Sequence, residues 1–306
     1  MQQLRQLLPP DQINLVIYHT DCSDGTAAAL AAQLKLGARA KYFGVKHLED
    51  GRVDPNLMKY IQPDSKILIV DFSYSRKTLL NLKQYVAAII VLDHHISAQK
   101  ELSDLDFCYF DLAHSGCALA WNYFWPEMEM PKCFAHIEDR DIWKWTVPGS
   151  HEFCAALYNT MPIGIESYKQ LLEYKGDRWL DSNMYETLLQ KGKYTLEFTA
   201  DMTNKICRYA KVISSKNGKT VALVDSSEFV SDVGNQLAKT SNFALVFYYD
   251  FERFKYKISA RSVSEDNRCD LLAKTHFSGG GHKCASGFYW DGTIPALMEK
   301  IRNIEL

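Results

Sequence analysis

No two of the eight cysteines, at positions 22, 108, 117, 133, 154, 207, 269 and 284, stand at Cys-x-x-Cys spacing. That absence excludes a zinc ribbon and gives no disulfide framework, so a reducing, cytoplasmic compartment is expected. An excess of charge of either sign is missing too. The formal net charge is −2, which argues against a sequence-independent grip on long duplex nucleic acid but leaves room for a small anion held by a local positive site. No apolar run approaches the length that spans a bilayer, and Met1 to Asp11 carries one Arg without the apolar core of a secretory signal. Neither a membrane partner nor a leader is therefore expected, and homodimer formation stays open. Internal repeats and low-complexity tracts are also absent. What remains is an ordinary globular composition, 47% hydrophobic and 24% charged, in a chain of 306 residues. That length exceeds the size at which one core keeps growing and implies two domains.

The first half alternates two periodicities. Ile13 to Tyr18, Ala40 to Val45, Lys66 to Asp71 and Ala87 to Leu92 read as short apolar strands, and Ala27 to Leu36 and Lys77 to Tyr85 as amphipathic helices. This alternation predicts an α/β domain with a mostly parallel sheet covered on both faces, over residues 1–163. Helices are also predicted over Ser115 to Phe124 and Pro131 to Asp139. Residues 164–210 read as a helical connector, with Met184 to Phe198 its longest stretch. Strand character returns at Lys219 to Asp225, Phe243 to Asp250 and Tyr256 to Arg261, with a turn at Asn217-Gly218 and helices at Val230 to Lys239, Asp270 to Thr275 and Ile294 to Ile301. A smaller α/β domain over 211–306 follows, with the active site expected in the cleft between the domains.

The chemistry concentrates at predicted strand and helix ends. Asp93-His94-His95 closes the run Val86 to Leu92; His19-Thr20-Asp21-Cys22-Ser23-Asp24-Gly25 follows Ile13 to Tyr18; Asp71 follows Lys66 to Val70; Asp139-Arg140-Asp141 follows Phe134 to Glu138. Loops leaving adjacent parallel strands converge at the carboxyl edge of a sheet, so His19, Asp21, Asp24, Asp71, Asp93, His94 and Asp139 are expected to share one crevice. Carboxylates crowd in this way only around positive charge. A mixed Asp/His set without thiolates favours Mn²⁺ or Mg²⁺, with Co²⁺ compatible, and this many ligands suits two ions bridged by one carboxylate. Taken singly, Asp21, Asp24 and Asp139 are equally explained as helix caps, and Asp141 competes with Asp139 as the ligand. Cys22 reads as a small packed residue, Ser115 as a helix cap first and a phosphate contact second, and Trp143 and Trp145 as packing rather than base-stacking platforms.

In this order the segments resemble the motifs of the DHH phosphoesterase superfamily, and Tyr18 to Gly25 resembles its branch of nano-RNase or oligoribonuclease and cyclic-nucleotide phosphodiesterase-like proteins. Asp71-Phe72-Ser73-Tyr74 is similar to the second motif, Asp93-His94-His95 to the third and Glu138 to Trp143 to the fourth. The resemblance spans nearly the whole chain. It implies that His19, Asp71 and one aspartate of the first motif, Asp21, hold one ion, and that Asp24, Asp71, His94 and Asp139 hold the other, with Asp71 bridging. His95 would face the scissile phosphate, and Asp93 would orient its neighbours or add a ligand. One departure falls on Asp21: many superfamily members space these aspartates two residues apart, whereas Asp21 and Asp24 are three apart with Cys22 between them.

In the second domain, Gly279-Gly280-Gly281 precedes His282 and Lys283. Three glycines in a row forfeit backbone entropy, and close approach of backbone N–H groups to a phosphate would justify them. The segment resembles the glycine-rich motif of the DHH-associated C-terminal domain, and Ile258 to Ser262 resembles the strand whose arginine meets the substrate. Arg261, His282 and the three glycines are thereby implied as substrate contacts, with Lys283 facing solvent. The implied activity is two-metal hydrolysis of very short oligonucleotides to nucleoside 5′-monophosphates. A cyclic-nucleotide phosphodiesterase, a phosphatase of 3′,5′-bisphosphorylated nucleotides and a non-catalytic nucleotide sensor are the alternatives.

Overall fold

The computed structural model describes residues 1–46 and 53–306. The chain divides into two compact units, Met1–Thr195 and Leu196–Leu306. The first is built on five parallel strands, β1 (Leu15–His19), β2 (Lys41–Val45), β3 (Lys66–Val70), β4 (Ala88–Asp93) and β5 (Cys108–Phe110), in the order β2-β1-β3-β4-β5. Alternate residues of each strand go to opposite faces. Val16, Leu68, Val70, Ile90 and Leu92 join one core, with the helices Ser23–Leu36 and Gly116–Phe124. Leu15, Ile17, Ile67, Ile69, Ile89 and Val91 join another, with Leu79, Leu82 and Leu102. Both faces are therefore dry, as the unbroken apolar runs predict, and each buried aliphatic side chain contributes about 1.5–3 kcal/mol. Ser23–Leu36 is buried nearly all round because Ala27, Ala28, Ala29, Ala31 and Ala32 let neighbouring backbones approach.

Two features of this unit were not visible in the pattern. β5 is three residues long, too short to show a period. A hairpin of β6 (Leu172–Lys175) and β7 (Arg178–Asp181) interrupts the stretch expected to be helical. Its turn residues Gly176 (φ +57°) and Asp177 (φ +64°) are both left-handed, which is the demand of a two-residue hairpin turn. The long helix Asn183–Cys207 then follows.

The second unit holds a six-stranded mixed sheet of β8 (Lys211–Ser214), β9 (Thr220–Asp225), β10 (Phe243–Asp250), β11 (Lys255–Arg261), β12 (Gly280–His282) and β13 (Ala285–Trp290), ordered β12-β13-β11-β10-β9-β8. One face packs on Leu272, Ala273, Phe277, Leu297 and Ile301. The helix Val230–Ala238 brings Val233 and Leu237 against Ala222, Val224, Ala244 and Val246 on the other. Among the described residues no helix is long and apolar enough to cross a membrane.

Candidate metal centre

β1, β3 and β4 are neighbours, and their carboxyl ends carry His19, Asp71 and Asp93. Asp71 leaves the ladder just after Val70 with φ +52°, a left-handed backbone that Asp tolerates better than most side chains. Its N–H still donates to Leu92 O at 3.0 Å. The carboxylate, 2% exposed, presents one oxygen to each of two histidines. Oδ1 lies 3.1 Å from His94 Nε2, and Oδ2 lies 3.7 Å from His19 Nδ1. Oδ2 is buried and lacks a hydrogen-bond partner, which leaves a lone pair for a cation.

Asp24, on the first turn of Ser23–Leu36, caps a different helix from the one it belongs to. It accepts from Gly116 N at 2.6 Å and Cys117 N at 2.9 Å, at the start of Gly116–Phe124. Ser115, the nominal cap residue, makes no such side-chain bond; it is fully buried with Oγ 3.3 Å from Cys117 Sγ. Gly116 is needed where it stands, since a Cβ there would meet Asp71 Cβ at 2.5 Å and Asp24 Oδ2 at 2.8 Å.

His94 Nε2 lies 3.7 Å from Asp24 Oδ2 and 3.4 Å from Asp141 Oδ2. The ligand atoms of Asp24, His94 and Asp141 lie within 4.8 Å of one another. Asp141, not the expected Asp139, is thus the helix-end aspartate beside His94. On Lys132–Asp141 the two are about 200° apart, so only one can face the sheet edge. Asp139 instead accepts from Thr146 N (2.8 Å), Thr146 Oγ1 (3.1 Å) and Val147 N (3.1 Å), pinning the next loop. Asp21 departs as well: at φ +56° its side chain is 65% exposed and paired with Lys46. Cys22 takes the inward position, with Sγ, a His19 nitrogen and an Asp71 oxygen within 4.8 Å of one another.

Asp93 spends its oxygens on the protein. Oδ1 accepts from His94 N at 2.7 Å and holds His95 Nδ1 at 2.6 Å, while Oδ2 accepts from Ser73 Oγ at 2.5 Å. His95 is half exposed with Nε2 free of Asp93, and the Asp93 bond holds the imidazole above its ordinary pKa.

The cluster carries surplus negative charge. Burial, reinforced by Asp71 and Asp141, pushes Asp24 well above the usual carboxylate range. Burial also pushes Asp71 upward, but the facing imidazoles of His19 and His94 outweigh it and hold that carboxyl at about 2. Burial disfavours charge on His94, yet Asp71, Asp24 and Asp141 raise it to about 9. Burial and then Asp71 push the Cys22 thiol up to about 12. Protons held in this way are what a divalent cation displaces, so the donor set fits a metal centre.

A strained aromatic loop adjoins the cluster. Trp143 and Trp145 are left-handed at φ +56° and +54°, a conformation costing about 1–3 kcal/mol each that the Asp139 contacts sustain. Trp145 stacks on His151 at 4.0 Å, and Trp143, two residues from Asp141, is 67% exposed rather than packed in a core.

In the second unit the glycines form a hairpin edge rather than an open loop. β12 pairs with β13 as Gly280↔Gly287, Gly281↔Ser286 and His282↔Ala285. A Cβ on Gly279 would meet Gly287 O at 2.3 Å, and Gly281 sits at φ +145°. Arg261 pairs with Ala285 across β11 and β13, so Arg261 and His282 lie on one row of one face with a small residue between them. The Arg261 guanidinium donates to Ala260 O at 2.9 Å and Ser231 Oγ at 3.0 Å. Lys283 is ion-paired with Glu265 at 2.9 Å.

This fold, with Asp and His at the strand ends of a parallel sheet, is similar to that of solved structures that include a DHH domain. It resembles the DHH domain of a member of a ribosomal-protein family, at TM-score 0.60 and 16% identity over 98% of this chain and 88% of that one. It also resembles a pGpG-specific phosphodiesterase from Vibrio cholerae, at TM-score 0.51 and 14% identity over 94% and 98%. No protein-family model matches the chain. The chain belongs to the family of Uncharacterized protein R106 of Acanthamoeba polyphaga mimivirus, to which it is 31% identical over 324 residues, 97% of this chain and 72% of that protein.

Proposed function

We propose that the protein is a divalent-metal-dependent phosphoesterase that cleaves very short oligonucleotides or small nucleotides to nucleoside 5′-monophosphates. The observation that carries this reading is Asp71, whose two oxygens face His94 and His19 separately, one of them buried without a hydrogen-bond partner. Asp24, His94 and Asp141 would hold one ion with Asp71 Oδ1, and His19 the other with Asp71 Oδ2. Two such cations, with Mn²⁺ or Mg²⁺ suited to the Asp24, His94 and Asp141 position, would supply the charge that activates a water and steadies the phosphate. Asp93 orients His95 through Nδ1, so that Nε2 presents a proton to a non-bridging phosphate oxygen. Asp24 stays fixed through its two backbone donors. Arg261 and His282 supply cationic and hydrogen-bonding contacts to a terminal phosphate or base, and Trp143 offers a face for a nucleobase.

The fold is shared with an enzyme whose name specifies pGpG, a dinucleotide, which supports a short substrate. The test is chromatographic product analysis with Mn²⁺ and a panel of dinucleotides, a longer oligoribonucleotide, cyclic AMP, 3′,5′-bisphosphoadenosine and pyrophosphate. Chelator-sensitive mononucleotide release from the dinucleotides supports the proposal. Turnover of only a cyclic or bisphosphorylated nucleotide replaces the substrate, and binding without turnover moves the protein to the sensors.

A further inference from the structure

The loop from β1 into Ser23–Leu36 sorts two adjacent side chains in opposite directions. The left-handed turn at Asp21 sends its carboxylate outward to Lys46. Cys22, extended at φ −123° and ψ 134°, stands at the N-cap of a 14-residue helix. Its Sγ, a ring nitrogen of His19 and an oxygen of Asp71 converge within 4.8 Å. A second observation marks the same spot: Asp71 is 2% exposed, and its Oδ2 is buried with no hydrogen-bond partner. Bond lengths to a tetrahedral ion put nitrogen, oxygen and sulfur ligands about 3.3–3.8 Å apart.

We propose that Cys22 is a thiolate ligand of the cation held by His19 and Asp71, which gives this position a preference for a thiophilic divalent ion such as Zn²⁺, Co²⁺ or Fe²⁺ over Mn²⁺ or Mg²⁺. This rests on the metallophosphoesterase reading for the presence of a cation and adds the identity of a ligand and the class of ion. The second position, Asp24, His94 and Asp141, offers only nitrogen and oxygen and keeps the harder preference, so the two ions of one centre differ. Binding breaks the S–H bond, transfers that proton to solvent and forms the metal–sulfur bond with no change of oxidation state.

The test titrates metal-free full-length protein with Co²⁺, following the near-ultraviolet thiolate-to-cobalt charge-transfer band while bound cobalt is counted by dialysis. The expected result is a band that saturates with bound cobalt and is lost in Cys22→Ser, with at least a tenfold fall in the Zn²⁺-over-Mn²⁺ affinity ratio. A measurement on unmodified protein stands beside it. Zn²⁺ should slow alkylation of Cys22 at least tenfold while Mg²⁺ does not, with the partly exposed Cys108, Cys207 and Cys284 as internal controls. Stoichiometric cobalt without a band, or a band that survives in Cys22→Ser, overturns the thiolate assignment and leaves the metal centre standing. No bound cobalt at all overturns the metal centre and the assignment together.

Discussion

The carboxyl edge of the first sheet and the glycine hairpin of the second are both rich in polar side chains, but they are stabilised in opposite ways. At the first, Asp24, Asp71 and Asp93 are almost fully buried and three carboxylates face His94. Its charge is unbalanced without protons or cations. At the second, Arg261 is tied to its own strand and to Ser231, His282 is exposed and the residues between are small, so the surface is complete as it stands. Under the proposed function, the difference separates chemistry from recognition. Substitutions at the first should change turnover, and metal content where a ligand is removed; substitutions at the second should act mainly on substrate affinity.

The largest effect is expected from Asp71→Ala, which removes the shared carboxylate. Hydrolysis should fall at least about a thousandfold with loss of bound metal, read by product formation and elemental analysis. Next, His95→Ala should lower kcat by about a hundredfold or more while metal content is unchanged; loss of metal would make His95 a ligand instead. Arg261→Ala would remove the proposed charge-assisted substrate contact, worth about 1.5–3 kcal/mol, so kcat/KM should drop about tenfold to a hundredfold, mainly through KM. Metal loss in that variant would break the contrast between the two regions. Trp143→Ala should raise KM at least about fivefold for a dinucleotide, the lower end of one base stack of about 1–3 kcal/mol, and leave metal content unchanged.

The smallest effect concerns stability in chelator. His94 has a folded-state pKa of about 9, above its ordinary 6.5, so its contribution is fully present below 6.5 and is lost as pH rises toward 9. Asp24, whose pKa is also raised, acts in the same direction. The metal-free protein should therefore melt several degrees lower at pH 9 than at pH 6.5, and a saturating divalent cation should abolish the slope.

The parallel sheet was legible because Ile67 to Val70 and Ile89 to Leu92 are buried on both faces and so read as unbroken apolar runs. The convergence of His19, Asp24, Asp71 and His94 followed from their positions at strand and helix ends. Helix phase decided between Asp139 and Asp141, and a motif match that takes in both aspartates carries no phase. The reversal of Asp21 and Cys22 depends on a single left-handed residue that many sequences would adopt only in context. The glycines at 279 and 281 answer to close approach of β13, a pairing whose partner strand lacked turn signals.

The most direct measurement of the central claim is equilibrium dialysis of Mn²⁺ and Zn²⁺ against wild-type protein and Asp71→Ala, with folding of both followed by circular dichroism. The account predicts two ions per wild-type chain and loss of tight binding at both positions in a folded variant, because one carboxylate serves both. Equal stoichiometry and affinity in the two proteins would contradict it.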